Sequence, residues 1–497
     1  MDAIDALKQK VLTLAIQGKL VPQNLSDEPA SELLKRIKAE KEALVKAGKI
    51  KKDKLESYIY KGSDNNYYEK IGDEVKDITE EIPFEIPENW EWVRLSSLCR
   101  LDNGEKVFNV RLPLLDAKYL RGKSSETIMD TGILVNKDDY IILVDGENSG
   151  EVFKAPICGI MGTTFKKLYI TTNIYNEYIL YLLKYYQKMF RNSKRGAAIP
   201  HLDKRLLANL MVGLPPISEQ KRIVSEIEKI FAEIEVVKTN QEELSKLKDG
   251  LKNKILDLAI QGKLVRQDPN DEPASVLLEK IRAEKQELIK QGKIKKDKQE
   301  SYIFKGTDNR HYEKIGSETK DITDEIPFEI PDSWQWVRLG SVGITQTGTT
   351  PATSHSEYFG KDIPFIKPAD ISNLSINYHN EGLSFEGIKY ARLIKAKSIL
   401  MVCIGGSIGK CYVNNCDVCC NQQINTFTPI LSDFLYFLYL MQSDYFYKTT
   451  IFNATGTATP IINKSDWGNI IIPLPPLSEQ LRIVEKLKNI LKTIELL

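Results

Sequence analysis

The sequence contains few of the residues from which most active sites are built. It has 4 histidines in 497 residues, and neither His201 nor His355 stands in a pattern typical of a nucleophile triad. Its two Pro-Pro pairs, at 215–216 and 475–476, follow leucine, whereas an amino-methyltransferase places Asn or Asp before such a pair. Residues 405–410 match a phosphate-binding loop only in part, because Ile404 and Cys411 replace its first glycine and its Ser/Thr. These absences predict a chain without catalytic activity.

The chain also lacks an excess of either charge and any long apolar run. Its 69 basic and 68 acidic side chains give a net charge of +1, so a nucleic-acid surface would have to arise by local segregation of charge. The apolar run at 434–441 is too short to cross a bilayer, and residues 1–10 are too polar for a signal peptide. We therefore expect a cytoplasmic protein that makes no membrane contact.

Cysteine is scarce but unevenly placed, since five of the 7 cysteines fall within residues 403–420. Cys416 and Cys419 form one CxxC pair, which suggests zinc as one interpretation. A second pair and nearby histidines are missing, so packed, reduced thiols are the favoured alternative. We predict no metal site.

The dominant positive feature is an internal repeat, which decides the architecture. Residues 14–21 (LAIQGKLV) recur unchanged at 258–265, an offset of 244, and residues 81–87 (EIPFEIP) recur at 325–331. After Leu95 and Leu339 the copies diverge. They converge again at an offset of 260, where 214–224 (LPPISEQKRIV) matches 474–484 (LPPLSEQLRIV). Two divergent regions are therefore held between shared flanks, and the second is 16 residues longer.

Heptad patterns predict long spacer helices in the flanks. From 218 to 261, with Ser218 as a candidate N-cap and Gly262 as the C-cap, apolar residues alternate in steps of four and three. The same pattern starts again near 478 and resumes at Leu7, Val11 and Leu14. The predicted spacer coiled coil comprises Ile223, Ile227, Ile230 and Ile234 with Ile483, Leu487, Ile490 and Ile494, and the seam continues through Leu244, Leu247 and Leu251.

The positions of the chain ends predict a closed arrangement. Leu497 corresponds to Val237 and Met1 to Ser245, so the C-terminus stops just before the N-terminus would resume the pattern. The two ends could meet and rebuild the second spacer. We expect a pseudo-two-fold, circular molecule whose long spacer helices pack as an antiparallel coiled coil.

Composition and periodicity indicate the structure of several further segments. The basic stretch 35–54, repeated at 280–298, is predicted to be helical. Such Lys-rich helices are usually solvated faces, and contact with phosphates outside the recognised bases or with a partner is the alternative. Within the divergent regions, 140–144 and 399–403 are typical of strands, and 174–190 and 431–445 of helices. The fold class is thus α/β, mixed α+β, with two globular domains separated by the spacers.

Taken together, these motifs resemble the specificity subunit of Type I restriction–modification enzymes. The resemblance rests on the LPPxSEQxRIV segments, on the GxxxPxxxK segments at 196–204 and 456–464, and on EIPFEIPENWEWVRL with its counterpart EIPFEIPDSWQWVRL. The second divergent region adds QTGTTP at 346–351 and DIPFIK at 362–367, which the first lacks. The first offers KYLRG at 118–122 and DGENSG at 145–150 instead.

The resemblance implies a non-catalytic subunit that reads an asymmetric, bipartite DNA target. Each target-recognition domain would read one half-site, and the spacers would set the gap. Partners would be double-stranded DNA, two methyltransferase subunits and restriction subunits. S-adenosylmethionine, ATP and Mg would belong to those partners, so no cofactor is expected in this chain. The expected domains are 1–93 (spacer and basic helix), 94–215 (recognition domain 1), 216–337 (central spacer and basic helix), 338–475 (recognition domain 2) and 476–497 (C-terminal spacer helix).

Residue types suited to base readout nominate the contact residues. Arg and Lys suit guanine, Asn and Gln suit adenine, and small hydroxyl side chains suit either. The candidates in the first domain are Lys106, Arg111, Lys118, Arg121, Lys123, Arg191, Lys194, Arg195 and His201. Those in the second are Thr347, Thr349, Thr350, Lys367, Asn373, Lys410, Gln422, Gln423, Thr457 and Lys464.

The flanks also nominate docking surfaces for the methyltransferase. These are the helix faces away from the seam and the Glu-Gln pairs at 219–220 and 479–480.

Two other classes of function remain open at this stage. A coiled-coil scaffold that does not bind DNA would fit the near-neutral charge, and it predicts no loss of DNA affinity with salt. An enzyme with an unrecognised site would turn over substrate as the isolated chain.

Overall fold

The computed structural model describes residues 3–48, 50, 57–192, 201–295, 301–456 and 458–497. Within them the chain forms two compact units, residues 1–241 and 242–497. The candidates Lys194, Arg195 and Thr457 lie outside the described residues, as does the end of each basic segment. Among the described helices, none is long and apolar enough to span a bilayer.

The first unit combines five helices, the start of a sixth and twelve strands among its described residues. The helices are α1 (Ala3–Ile16), α2 (Ala30–Lys46), α3 (Ala117–Leu120), α4 (Asn176–Asn192), α5 (Lys204–Asn209) and α6 (Ile217–Ile260). The strands are β1 (Ser57–Lys61), β2 (Tyr67–Ile71), β3 (Glu74–Asp77), β4 (Glu91–Arg94), β5 (Cys99–Asp102), β6 (Lys106–Leu115), β7 (Ile128–Val135), β8 (Tyr140–Leu143), β9 (Val152–Lys154), β10 (Gly159–Met161), β11 (Phe165–Ile170) and β12 (Met211–Leu214).

The second unit repeats this order with local changes. Its helices after α6 are α7 (Ala274–Lys290), α8 (Phe385–Ile388), α9 (Phe434–Met441), α10 (Asp444–Phe452), α11 (Lys464–Gly468) and α12 (Leu477–Leu496). Its strands are β13 (Ser301–Lys305), β14 (His311–Ile315), β15 (Glu318–Asp321), β16 (Gln335–Arg338), β17 (Gly343–Thr347), β18 (Phe359–Ile366), β19 (Gly382–Leu383), β20 (Leu393–Ile394), β21 (Ile399–Val402), β22 (Cys411–Val413), β23 (Val418–Cys420), β24 (Ile424–Pro429) and β25 (Ile471–Leu474).

Each divergent region is built on a four-stranded antiparallel sheet. The strand order is β5-β11-β8-β9 in the first unit and β17-β24-β21-β22 in the second. Beside these sheets, β6 pairs with β7 and β10, while β18 pairs with β19 and β23. The mixed helix-and-strand fold class that we predicted is therefore confirmed.

Short antiparallel ribbons close each divergent region. Strand β4, in the flank before the region, pairs with β12, which ends it, in the register Arg94–Met211. Strand β16 pairs with β25 in the same way, in the register Arg338–Ile471. The two ends of each divergent region thus lie side by side.

The long spacer helix α6 has 44 residues and agrees with the prediction to within one residue at each end. It begins at Ile217, so Ser218 lies inside the first turn, and the N-cap prediction is wrong. Gly262 follows the helix with a φ of +69°, and the Lys263 amide donates to the Leu258 carbonyl at 2.9 Å. This is the left-handed C-terminal turn expected of glycine.

The heptad seam is buried at its two ends and exposed in the middle. Ile223 and Ile227 are fully buried in the core of the first unit with Leu12 of α1, while Ile483 and Leu487 of α12 are fully buried in the second unit. Ile234 and Ile494 are buried as well, and Ile230 and Ile490 are half-buried.

The prediction of a continuous seam is wrong between these ends. Leu244, Leu247 and Leu251 are 42%, 71% and 43% exposed. The reason is length, because α1 and α12 have only 14 and 20 residues, and each packs against one end of α6 within its own unit.

Three other features differ from the predicted elements. Each basic helix ends early, at Lys46 and Lys290. The predicted helix 431–445 is two helices, because Ser443 accepts the Phe446 amide and caps a new helix. The three-stranded antiparallel sheets β1-β2-β3 and β13-β14-β15 were missed, although alternating aromatic and polar residues at their start are typical of strands.

Candidate nucleic-acid interface

The sheet of the first unit presents its loops at one end. The last residue of β5, the last residue of β8 and the first residue of β11 meet there, since the pairing of β11 ends at Phe165–Leu143. A turn at residues 145–150 follows β8. In it the Gly150 amide donates to the Leu143 carbonyl at 2.7 Å, and the Ser149 amide donates to the Gly146 carbonyl at 3.2 Å.

The same turn exists in the second unit, although its sequence is unrelated. There residues 404–409 follow β21, with the Gly409 amide donating to Val402 at 2.9 Å and the Ile408 amide donating to Gly405 at 3.1 Å. The last glycine has a φ of +92° in the first turn and +87° in the second, a backbone region that favours glycine. We call 145–150 turn 1 and 404–409 turn 2.

Different side chains occupy equivalent positions around the two turns. In turn 1, Asp145 forms a β-bridge with His201, and their side chains are joined at 2.6 Å between Oδ1 and Nδ1. In turn 2 the bridging residues are Ile404 and Ile461. The backbone is therefore shared, while the exposed chemistry differs.

Several candidate residues of the first domain gather at turn 1. Arg121 pairs with Glu151, immediately after the turn, and its guanidinium lies 5.8 Å from the centre of the Phe153 ring. Arg191 is exposed at the end of α4, next to Phe190, against which Gly150 packs. The structure thus brings Arg121, Arg191 and His201 to one edge.

The remaining described candidates of this domain are exposed on other elements. Lys106 and Arg111 lie on β6, and Lys106 Nζ is 5.0 Å from the centre of the Phe108 ring. Lys118 lies on α3, and the Lys123 amide donates to its carbonyl at 2.8 Å. Their part in DNA contact stays a prediction.

In the second domain, loops from distant parts of the sequence are hydrogen-bonded together beside turn 2. Thr347 Oγ1 bonds to Asn425 Oδ1 at 2.9 Å, and Thr350 Oγ1 donates to Gln422 Oε1 at 2.7 Å. The Thr349 amide donates to the Cys420 carbonyl at 2.9 Å. This cluster accounts for the TGTT motif.

Gly348 explains why the motif contains a glycine. A Cβ at this position would stand 2.1 Å from the Asn421 carbonyl oxygen, closer than any side chain tolerates. Two loops can pass each other here only because one of them lacks a side chain.

The other candidates of the second domain differ in their surroundings. Lys410 and Lys464 are exposed, one directly after turn 2 and the other at the start of α11. Lys367 forms an ion pair with Glu381, and Asn373 Oδ1 accepts the Cys411 amide at 3.1 Å. Gln423 holds turn 2 through its carbonyl, which accepts the Cys403 amide at 2.9 Å.

Sequence reasoning missed two exposed or half-buried cations at these edges. Arg392 donates to the Thr347 carbonyl, and Lys166 at the start of β11 donates to Asn103 Oδ1 at 2.7 Å. No motif marks either residue. Their place beside the turns becomes visible only in the three-dimensional structure.

The Glu-Gln pairs that we nominated for methyltransferase docking are buried, so that prediction is wrong. Glu219 accepts from the Trp90 indole nitrogen at 2.9 Å and from the Gln23 amide at 2.6 Å, and it is fully buried. Gln220 accepts the Tyr175 amide at 3.0 Å. Burial raises the pKa of the Glu219 carboxyl group.

The second unit repeats this arrangement. Glu479 accepts from the Trp334 indole nitrogen at 2.8 Å, and Gln480 accepts the Asp433 amide at 2.9 Å. We call the Ser-Glu-Gln segments at 218–220 and 478–480 the SEQ motifs. In each motif the glutamate binds a glutamine from the chain after α1 or α6, and the glutamine binds a backbone amide of the divergent region.

The clustered thiols in the second domain are mostly buried. Burial raises the pKa of Cys411 and Cys420 to about 12, which opposes the thiolate form that binds zinc. Among the residues that the structure describes, no group of three or more His, Cys, Asp or Glu side chains could hold a metal ion.

Comparison with known proteins identifies the class of protein that has this repeated fold. The family model described as "Type I restriction modification DNA specificity domain" matches residues 87–246 and 331–497. Those two matches cover more than half of the chain, so the chain belongs to this family.

Curated relatives agree with that assignment. The Escherichia coli Type I restriction enzyme EcoEI specificity subunit is 32% identical over 72% of this chain and 65% of its own length. The EcoAI specificity subunit of Escherichia coli is 28% identical over 99% of this chain and 89% of its own length. The chain thus spans just under two thirds of the first of these relatives.

One solved structure supports the fold. A chain from a structure titled "Structural basis underlying complex assembly and conformational transition of the type I R-M system" aligns with a TM-score of 0.50. It is 19% identical and covers 83% of this chain and 93% of its own length. At that identity the likeness concerns the fold alone.

Proposed function

We propose that this chain is the non-catalytic subunit that selects a bipartite DNA sequence for a Type I restriction–modification enzyme. The first recognition domain, 94–215, reads one half-site at turn 1, and the second, 338–475, reads the other at turn 2. The observation that carries the proposal is the shared backbone of the two turns combined with their different side chains. A common frame with variable chemistry is what reading two different half-sites requires.

The contacts follow from the residues at each edge. Arg121, Arg191 and His201 serve the first half-site, together with the other candidate cations of that domain. Gln422, Thr350 and Lys410 serve the second. Arginine and lysine bind guanine or phosphate, and a glutamine amide suits adenine.

The partners are proposed from the same family membership. Two methyltransferase subunits bind this chain and use S-adenosylmethionine to methylate adenine, while restriction subunits contribute the ATP- and Mg-dependent activity. The spacer helices set the gap between half-sites, because α6 is about 65 Å long at 1.5 Å per residue. The exposed faces of α6 remain candidates for methyltransferase docking.

The test is co-expression with the cognate methyltransferase, followed by single-molecule sequencing of host adenine methylation. A bipartite methylated motif that disappears when this chain is deleted supports the proposal. A stable complex with an active methyltransferase that yields no motif contradicts it and favours the scaffold alternative. Binding of the complex to duplex DNA should also weaken steeply with salt, as phosphate contacts require.

A further inference from the structure

A carboxylate on helix α2, in the flank before the first divergent region, accepts several hydrogen bonds from that region. Glu40, on α2, accepts hydrogen bonds from Tyr169 Oη at 2.9 Å, from the Thr172 amide at 3.0 Å and from Asn173 Nδ2 at 2.8 Å. The Thr171 hydroxyl donates to it as well. All four donors lie at the end of β11 or in the loop that leads into α4.

Among the residues that the structure describes, the second unit shows no such contact at the equivalent glutamate. Glu284 occupies the position of Glu40 on α7, and it is exposed. The Thr171 amide donates to Leu98 at 3.0 Å, and the Ile430 amide donates to Val342 at 3.1 Å, so Ile430 stands where the first domain has Thr171. Leu431 and Ser432 then replace Thr172 and Asn173.

A different contact lies beside Glu284. The next residue of α7, Lys285, donates its ammonium group to the Gly340 carbonyl at 2.7 Å. The contact of Glu40 therefore distinguishes α2 from α7, although the sequences of the two helices are closely related.

The negative charge of Glu40 strengthens the hydrogen bonds that it accepts. Burial raises the pKa of this carboxyl group, but the hydrogen bonds from Thr171, Thr172, Asn173 and Tyr169 outweigh burial and lower the pKa to about 2. Hydrogen bonds to an ionised carboxylate are stronger than those between neutral groups, and several of them together favour the ionised form.

The contact lies on the elements that support turn 1. Strand β11 runs from the interface edge, at Lys166, to the donor Tyr169, and Thr171 follows the end of the strand. Helix α4 starts just after Asn173, and at its other end Phe190 packs against Gly150 of turn 1. A shift at the Glu40 end would therefore move the reading edge.

We infer that Glu40 is a positioning residue, which fixes the first recognition domain on its flank helix and thereby keeps one half-site, and only one, accurately read. This inference rests on the proposed function. It also implies that a foreign domain placed in the first half needs hydrogen-bond donors at the positions of 169–173.

The test compares Glu40→Gln with its repeat counterpart Glu284→Gln, each in the full complex with the methyltransferase. Gln keeps the shape but loses the charge and one acceptor. The measurement is methylation of targets with single mismatches, relative to the correct target, for each half-site. Glu40→Gln should raise relative methylation several-fold at mismatches in one half-site, and Glu284→Gln should change neither.

A merely structural loss would lower methylation of all targets alike. Equal relaxation of both half-sites, no relaxation, or an equal effect of Glu284→Gln would overturn the inference. Asn173→Ala provides a second variant, which should relax the same half-site and add little to Glu40→Gln. If the wild-type complex gave no bipartite motif, the proposed function would fail, whereas an intact motif with an unaffected Glu40→Gln complex would refute the positioning role alone.

Discussion

At the scale of single residues, the most instructive side chains are the buried glutamates of the two SEQ motifs. Acidic residues at a helix start are usually exposed, whereas Glu219 and Glu479 are fully buried and accept hydrogen bonds from tryptophan side chains. Only the repeat made them noticeable, because they recur with tryptophans at 90 and 334. Their role depends on contacts with residues far away in the chain, which spacing within the motif does not reveal.

Replacing these glutamates should destabilise the corresponding unit. In Glu219→Gln, the new amide nitrogen cannot accept, so either the Trp90 indole or the Gln23 amide loses its acceptor. A buried donor without a partner costs about 1–3 kcal/mol of unfolding free energy. Thermal unfolding should show a lower midpoint for Glu219→Gln and Glu479→Gln, while the exposed Glu228→Gln should match the wild type. Unchanged midpoints for both buried variants would contradict the role assigned to the motif.

The pH dependence of that difference has a defined sign. Burial raises the pKa of Glu219 and Glu479 in the folded chain above the usual carboxyl value of 4.5. Between the two pKa values the folded chain holds more protons, so the contribution of each carboxyl to stability falls as pH rises. The midpoint difference between wild type and Glu219→Gln should therefore shrink as pH rises above 4.5. A difference that grows with pH would show that the ionised form is the stabilised one.

At the scale of elements, the sequence predicted helices better than strands. The heptad pattern located α6 to within one residue at each end, because apolar side chains at fixed spacing determine which face is buried. It failed in the middle of the same helix, where Leu247 is 71% exposed, since periodicity does not say whether a partner helix reaches that far. The small sheets were missed because charged neighbours obscured a short alternating pattern.

The turns after the flank helices offer a matched pair of glycines. Gly18 and Gly48 both have a φ of +67°, but a Cβ on Gly18 would lie 2.4 Å from Pro87, whereas one on Gly48 would meet none of the described residues within 4 Å. Gly48→Ala should cost about 1–2 kcal/mol, the strain of the left-handed backbone. Gly18→Ala should cost clearly more because of the added overlap. Unfolding in denaturant measures the free energy of unfolding of both variants. Equal losses of stability would show that Pro87 can move away from the added Cβ.

At the scale of the whole molecule, the family and its two divergent regions were predictable, whereas the turns that we propose for DNA reading were not. Shared flanks show on inspection of the sequence. Turn 1 and turn 2 share no residue pattern beyond their glycines, and they were matched only through the backbone hydrogen bonds of Gly150 and Gly409. Because their common geometry depends on the backbone, a comparison of side chains along the sequence does not reveal it.

Independence of the two reading edges is the prediction that belongs to this scale. Gln422→Ala should relax one base position in one half-site, and His201→Ala should act only on the other half-site. Loss of a base contact costs about 1–3 kcal/mol of discrimination. Methylome sequencing of each variant complex would show this, with Glu318→Ala on the exposed strand β15 as the control. If both variants lowered the sequence specificity at the same half-site, the assignment of one half-site to each domain would be wrong.

The ribbons β4–β12 and β16–β25 bring a final consequence. Because the strand before each divergent region is hydrogen-bonded to the strand that ends it, the chain enters and leaves each region at adjacent points. A different divergent region could therefore be joined to the same flanks without changing where the chain enters and leaves that region. Under the proposed function, such an exchange would give the chain a new DNA specificity, limited in the first unit by the need to supply hydrogen-bond donors to Glu40.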